Sequence, residues 1–450
     1  MKHSIDMLND DIKKVLITLA WPIVLSNLIQ TALGLVDMIW IGKLGSYAVT
    51  AIGTAGFYIN FAQALSTLII TGTGVLIAQK LGEANIKDSQ TFVKNGVFLS
   101  IGLSVIFSVF TYIYAEPLIS FFKIDDPLIF QTSVDYLRHS LFGVPFLFLV
   151  ATYVTILTSY GNTRLTFRAN AIGLFVNIVL DPIFIFGLGP IPKMGVIGAA
   201  WATNIARIII FILLYKNSQE ELDGSYQQTI DWKKIKEVIV MGIPVASQRF
   251  IFIGISMIMA RIVVEFGTDA MAAQRIGIQI ESISYVTIGG LQGAIAAFIG
   301  QNYGNKNMKR VKEGYDVSLR LVFIFGTIIS LIFIIFPEPI FKVFIQEPDV
   351  VEHGIVYMQA IGYSQLFMCV EMLSVGAFNG LGKTQIPALV AIIFTAIRIP
   401  MAVALSKEMG IAGVWWSISI SSILKGTILV VWYKYHLKKT MGPITHQNFA

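Results

Sequence analysis

TGTGVLIAQKLGEAN, residues 71 to 85, closes a long apolar run with a glutamine, a glycine and an asparagine, and GAIAAFIGQNYGNKN, residues 293 to 307, closes another in the same way. Gln79, Gly82 and Asn85 precede Gln301, Gly304 and Asn307 by 222 residues each, close to half of the 450-residue chain. The same offset relates Pro22 to Pro244, Gly45 to Gly267, Ala48 to Ala270 and Ala51 to Ala273. Further on, Tyr136, Gly161 and Thr163 match Tyr357, Gly382 and Thr384 at 221, and MGVIGAAW (194 to 201) matches MGIAGVWW (409 to 416) at 215. Matches of glycine, proline and polar residues that keep one order along the chain point to an old duplication, with small deletions accounting for the drift.

What is duplicated follows from composition. Hydrophobic residues make up 55% of the chain and charged ones 13%, about half the charged share of an ordinary globular domain. Runs such as 97–115 and 321–336 approach or reach the roughly 20 residues that cross a bilayer as helix. Strand-type alternation is missing, which argues against a membrane β-barrel. About twelve such segments are present, the first near 15–40 and the last near 411–433. The expected fold is an all-α integral membrane protein with twelve transmembrane helices. They form two six-helix lobes, residues 1–220 and 238–450, joined by a cytoplasmic linker at 221–237. Six is even, so both copies enter from the same side and are parallel repeats about an axis along the membrane normal. The first apolar segment follows Lys13 and Lys14 and exceeds a signal-peptide core in length, so it is expected to stay in the mature protein. The basic, tryptophan-bearing stretch WKKIKEVIV (232 to 240) reads as an amphipathic interfacial tether.

The net charge of +6 reports topology rather than a nucleic-acid partner. With the N-terminus inside, the inner loops hold Lys80, Lys87, Lys94, Arg164, Arg168, Lys233, Lys234, Lys236, Lys306, Lys309, Arg310 and Lys312, while the outer loops hold little more than Lys43, Lys123, Lys193, Lys342 and Lys407. That bias places both termini in the cytoplasm. The single cysteine, Cys369, rules out an intramolecular disulfide, and none of the five histidines falls in mid-span, so haem, zinc and histidine-based catalysis have no evident residues. No phosphate-binding loop or protease-type motif occurs, so neither direct ATP drive nor an intramembrane enzyme is expected.

The segments VDMIWIGKLG (36 to 45), GTGVLIAQKLGEAN (72 to 85), VNIVLDPIFIFG (176 to 187), AAQRIGIQIESISY (272 to 285), GQNYGNKN (300 to 307) and GAFNGLGKT (376 to 384) together resemble the multidrug and toxic compound extrusion (MATE) family of the MOP superfamily. The resemblance covers nearly the whole chain in order. It implies a secondary antiporter that exports cationic or amphipathic drugs in exchange for H+ or Na+ by alternating access of two lobes. Such a protein sits in the cytoplasmic (inner) membrane, needs no cofactor and acts as a monomer. Export of an endogenous metabolite and flipping of lipid-linked saccharide precursors are the alternatives. The NorM-type branch carries acids in the second half where this chain has Phe252 and Met368, which makes the chain more like the DinF-type branch.

Charges inside a bilayer cost at least ~2.5 kcal/mol each on insertion scales, so each one asks for a function. Asp37 and Asp181 fall late in outward-running spans, at similar depth. Asn177 lies one turn before Asp181 on the same helix face, and Thr203 enters at the same level. Pro182 leaves the carbonyl of Ile178 without its usual donor. These oxygens suit a proton relay or a hard monovalent cation, the only metal site expected. The resemblance carries cation coupling onto Asp37, Asn177 and Asp181, with Thr203 beside them. The competing reading makes Asp37 a surface helix terminator and puts Asp181 in a structural ion pair. In the second half Glu281, Glu371, Arg249, Arg275 and Arg398 are candidate substrate or polar sites, with Glu281 pairing with Arg275 or Arg249. Met257, Met259, Phe367 and Met368 are weaker candidates to line a drug cavity. Pro22 and Pro244 are read as bends, Gly82 and Gly304 as left-handed helix ends, and Gln79 and Gln301 as loop-bonding residues.

Overall fold

The computed structural model describes residues 5–441 apart from 189–190 and 220–221, and the side chains of residues 32, 33, 35 and 46 lie outside the description. His3 and His446 are likewise outside it. The first half runs through α1 (Ile12–Gly42), α2 (Ser46–Gly82), α3 (Ile86–Ile113), α4 (Ala115–Ser120), α5 (Pro127–Ser140), α6 (Val144–Ser159), α7 (Thr163–Phe186) and α8 (Val196–Asn217). The second runs through α9 (Trp232–Val264), α10 (Thr268–Gly304), α11 (Met308–Ile335), α12 (Pro337–Lys342), α13 (Pro348–Gly380), α14 (Gln385–Ala396), α15 (Arg398–Met409) and α16 (Ile411–Met441).

Twelve of these segments are long and apolar enough to cross a membrane. A 3-10 turn at Leu141–Gly143 joins α5 and α6 into one span, and α14 with α15 forms another. The short α4 and α12 follow the third span of each half, again 222 residues apart. The fold is therefore all-α with twelve spans and an internal repeat.

Local chemistry explains the repeated motif. Helix α2 ends at Gly82 and α10 at Gly304, and each chain then turns through a residue in the left-handed region, Ala84 (φ 56°) and Lys306 (φ 57°). The expected left-handed glycines are thus displaced by two residues. The amide of Asn85 bonds the carbonyl of Lys80 and that of Asn307 bonds Asn302, each 2.9 Å, as in a Schellman ending. The carbonyls of Gln79 and Gln301 accept from Glu83 and Asn305 in the same turns. Asn85 and Asn307 then cap the next helices, accepting from the amides of Asp88 and Arg310. Glycine alone adopts the left-handed conformation without steric cost. Lys306→Gly is therefore expected to stabilise the protein by about 0.5–1 kcal/mol, read as a higher unfolding midpoint in detergent; a lower midpoint would show that the lysine side chain makes up for its strain.

Two compact units divide the described chain: Leu25–Ile243 with Ile5, and Asp6–Val24 with Pro244–Met441. The divisions fall within α1 and α9, close to Pro22 and Pro244. In the first unit α9 crosses α2 at backbone contact. A Cβ on Gly242 would lie 1.8 Å from the carbonyl oxygen of Leu68, and one on Gly72 would lie 2.1 Å from that of Val238. In the second unit Gly290 of α10 meets Ala20 and Val24 of α1 in the same manner. Small residues at such crossings let backbones approach where lipid supplies no hydrophobic drive. Gly242→Val is expected to cost about 1–3 kcal/mol by overpacking, seen as a lower melting temperature, whereas Gly254, which has open space where its Cβ would be, is expected to tolerate alanine without steric penalty.

The stretch 222–240 is built against α3. Residues 232–240 are the opening turns of α9 itself, continuous with the span. They and the preceding turns are fastened to α3: Asn95 accepts from the amide of Asp231 at 2.9 Å, Gln90 donates to the carbonyl of Asp223, Lys94 donates to that of Tyr226, and Lys234 pairs with Asp88. Charge and amide bonds fasten this segment to α3 and leave Trp232 exposed.

Candidate functional site

In the first unit, α7 presents Asn177 and Asp181 one turn apart on its fully buried face, and the Asn177 Nδ2 donates to Asp181 Oδ1 at 3.4 Å. Asp37 of α1 meets this face: its carboxyl and that of Asp181 are direct hydrogen-bond neighbours. One turn beyond the acids, Ile41 and Ile185 are buried in a common cluster with Val196 and Ala199, and Tyr136 packs against it. The same two helix faces are therefore locked by apolar packing above the carboxyls.

Three oxygens of this group, Asp37 Oδ1, Asp181 Oδ2 and Asn177 Oδ1, are buried with no hydrogen-bond donor among the described residues. Buried acceptors without a partner are costly, and two neighbouring carboxylates repel unless a proton or cation lies between them. Two further residues belong to this neighbourhood. Arg207 of α8 is a charge facing Asp37, and Tyr136 of α5 lies within the electrostatic reach of both aspartates and of Arg207. Arg207 approaches the Leu141–Gly143 break, where a Cβ on Gly143 would lie 3.4 Å from its Nη1. Thr203 is half-buried one turn before Arg207 and makes no hydrogen bond to the pair. Asp37 forms no described salt bridge and does not end its helix, which continues to Gly42.

The second unit has a different polar interior. Glu281 accepts from Tyr357 at 3.1 Å and from Gln365 at 2.7 Å, and it meets neither Arg249 nor Arg275. Both arginines are exposed on their helices, so the expected pairing does not form. Glu371 accepts from Lys425 of α16 at 2.9 Å, with both side chains about nine-tenths buried. Arg398 is buried and donates to the hydroxyls of Ser421 and Ser422. Phe252 and Met368 line a cavity beside Glu371, Arg398 and Lys425. Met259 packs in an apolar cluster instead, and Met257 is exposed.

Arg207 and Lys425 were not among the charges singled out from sequence. Both interrupt apolar spans, ATNIARIIIF and SSILKGTILV, so the insertion cost applied to the other charges would have found them.

A family model described as MatE matches residues 22–183 and again 244–404, two copies that begin at Pro22 and Pro244. The chain belongs to the MatE family. Among its relatives, the probable multidrug resistance protein NorM of Thermotoga maritima is 29% identical across 94% of this chain and 92% of that protein. The probable multidrug resistance protein YpnP of Bacillus subtilis is 25% identical across 98% and 99%. The solved outward-facing form of a multidrug resistance MATE family transporter of the MOP superfamily is 20% identical, covers 96% of this chain and 97% of that one, and superposes with a TM-score of 0.87. This MatE chain is thus a multi-pass membrane transport protein and not an enzyme. It is a secondary transporter of small organic compounds, and transport in this family is ion-coupled.

Proposed function

We propose that the protein exports cationic or amphipathic organic compounds across the inner membrane in exchange for H+ or Na+, with Asp37, Asn177 and Asp181 as the coupling site and Thr203 at its edge. The observation that carries this reading is the pair of facing carboxyls with three buried, donorless oxygens around them. When both are ionised, the group attracts an organic cation. A proton or sodium ion arriving from outside neutralises it and releases that attraction. Arg207 limits the net charge to be neutralised, and Tyr136 supplies a hydroxyl to the same space. Coupling requires that ion and substrate compete or favour opposite arrangements of the halves.

The working halves in this reading are residues 1–220 and 238–450 with 221–237 as the joint, both termini cytoplasmic and the monomer sufficient. The apolar residues at 252 and 368, in place of acids, favour the DinF-type branch over the NorM-type. They also leave the first half as the coupling site. Uptake of a fluorescent cationic dye into inside-out proteoliposomes, with pH and sodium gradients imposed separately, tests the scheme. Uptake driven by one gradient and lost in Asp37→Asn names the ion. Uptake indifferent to both gradients in folded protein would overturn coupling at this site.

A further inference from the structure

The second unit contains a cavity of about 210 Å³ walled by α9, α10, α13, α14, α15 and α16. Its polar side carries Gln248, Gln292, Glu371, Arg398 and Lys425, and its apolar side includes Phe252 and Met368. The wall therefore holds two cations and one carboxylate. Lys425 is matched by Glu371 at 2.9 Å. Arg398 is matched by no acid: among the described residues no carboxylate lies within 4.0 Å of its guanidinium. The other buried acid of this unit, Glu281, accepts from the neutral Tyr357 and Gln365 and acts on Arg398 through space rather than by contact.

Glu371 and Glu281 act on Arg398 through space, from beyond ion-pair distance, and burying a guanidinium in a membrane span without a direct ion-pair partner is expensive. The chain does not avoid the cost here; it stations the group. Pro400 lacks an N–H and so leaves the carbonyl of Ala396 without its helical donor, and the helix breaks at Ile397. Arg398 then opens α15 with its Nε and Nη2 held by Ser421 and Ser422. Hydroxyls orient the guanidinium and neutralise none of its charge. Among the described residues Nη1 has no hydrogen-bond partner, so a planar donor edge is presented from a fixed position on the cavity wall.

We propose that this cavity binds the anionic head of a compact amphipathic organic acid, a carboxylate or a phosphate monoester, with Arg398 as the anchor and the Phe252 and Met368 side taking the apolar body. The volume lies below the ~300–1,000 Å³ of typical drug sites, which suits a one- or two-ring acid. Glu371 sets the strength: it offsets Lys425 at contact and Arg398 from farther off, so removing its charge strengthens the pull of both cations on the ligand. The site lies wholly within the second unit and does not depend on how the first unit couples to ions.

Equilibrium dialysis of full-length protein in nanodiscs, without any gradient, compares 2-naphthoate with 2-naphthylmethylamine, which share a ring body and differ in charge. Empty nanodiscs correct for partition into lipid. Saturable binding of the naphthoate alone is expected, weakened by at least about tenfold in Arg398→Gln and largely retained in Arg398→Lys. Glu371→Gln is expected to tighten it by a few-fold. Preference for the amine, or naphthoate affinity unchanged in folded Arg398→Gln, would overturn the proposal. If Arg398→Gln fails to fold, Glu371→Gln decides: tighter naphthoate binding supports the anion site, and equal or weaker binding rejects it. Because no ion gradient enters, a negative result here leaves dye exchange through Asp37 standing, and the reverse also holds.

Discussion

Replacing Lys425 with methionine is expected to destabilise the second unit by about 3–5 kcal/mol, because Glu371 then remains as a buried charge that has lost its contact ion pair. The two side chains are 8% and 11% exposed and 2.9 Å apart. The companion expectation separates charge from packing. Lys425→Met combined with Glu371→Met removes both ions and should recover most of the loss, since an apolar pair of similar volume has no desolvation to offset. Unfolding followed by intrinsic fluorescence in detergent, for the two single variants and the double, gives the coupling energy directly. Equal losses that simply add in the double variant would mean that the pair is not a unit. Naphthoate binding should also fall in the single Lys425 variant, which links the structural measurement to the anion site.

The second large effect concerns the first unit. Asp37→Asn and Asp181→Asn are each expected to cut gradient-driven dye transport by about 5- to 150-fold, the range of a typical coupling free energy. The double variant should be little worse than either single one. The reason is geometric: the two carboxyls face one another and share one ionic event, so removing either removes the whole. Asn177→Ala takes away an oxygen and the amide that holds Asp181, and is expected to give a smaller loss of the same kind. Losses that multiply in the double variant would show two independent ion sites instead of one.

How far the sequence reaches is clearest at these two places. Twelve spans, their division into two repeats and the paired turn motifs were legible because each is written in local composition and spacing. Gly45 and Gly267, Gly161 and Gly382, and Gly195 and Gly410 were matched by offset, and all six have positive φ in the structure. Asn177 and Asp181 were legible as a pair because one helical turn separates them. The left-handed residues were misplaced by two positions, since a Schellman ending fixes its turn by backbone bonds that tolerate Ala84 and Lys306.

Other features were settled only by tertiary packing. Depth alone brought Asp37 and Asp181 to one level; the apolar cluster that Ile41 and Ile185 share turned their faces together. Nothing local distinguishes the exposed Arg249 and Arg275 from the buried Arg398, or chooses Tyr357 and Gln365 over an arginine as partners of Glu281. Lys425 finds Glu371 across two helices that are distant in sequence. The order of residues sets how deep a side chain lies in the bilayer, because rise per residue is fixed along a helix. The direction in which it points is set by rotation about the helix axis, and that angle is chosen by all the neighbouring helices at once.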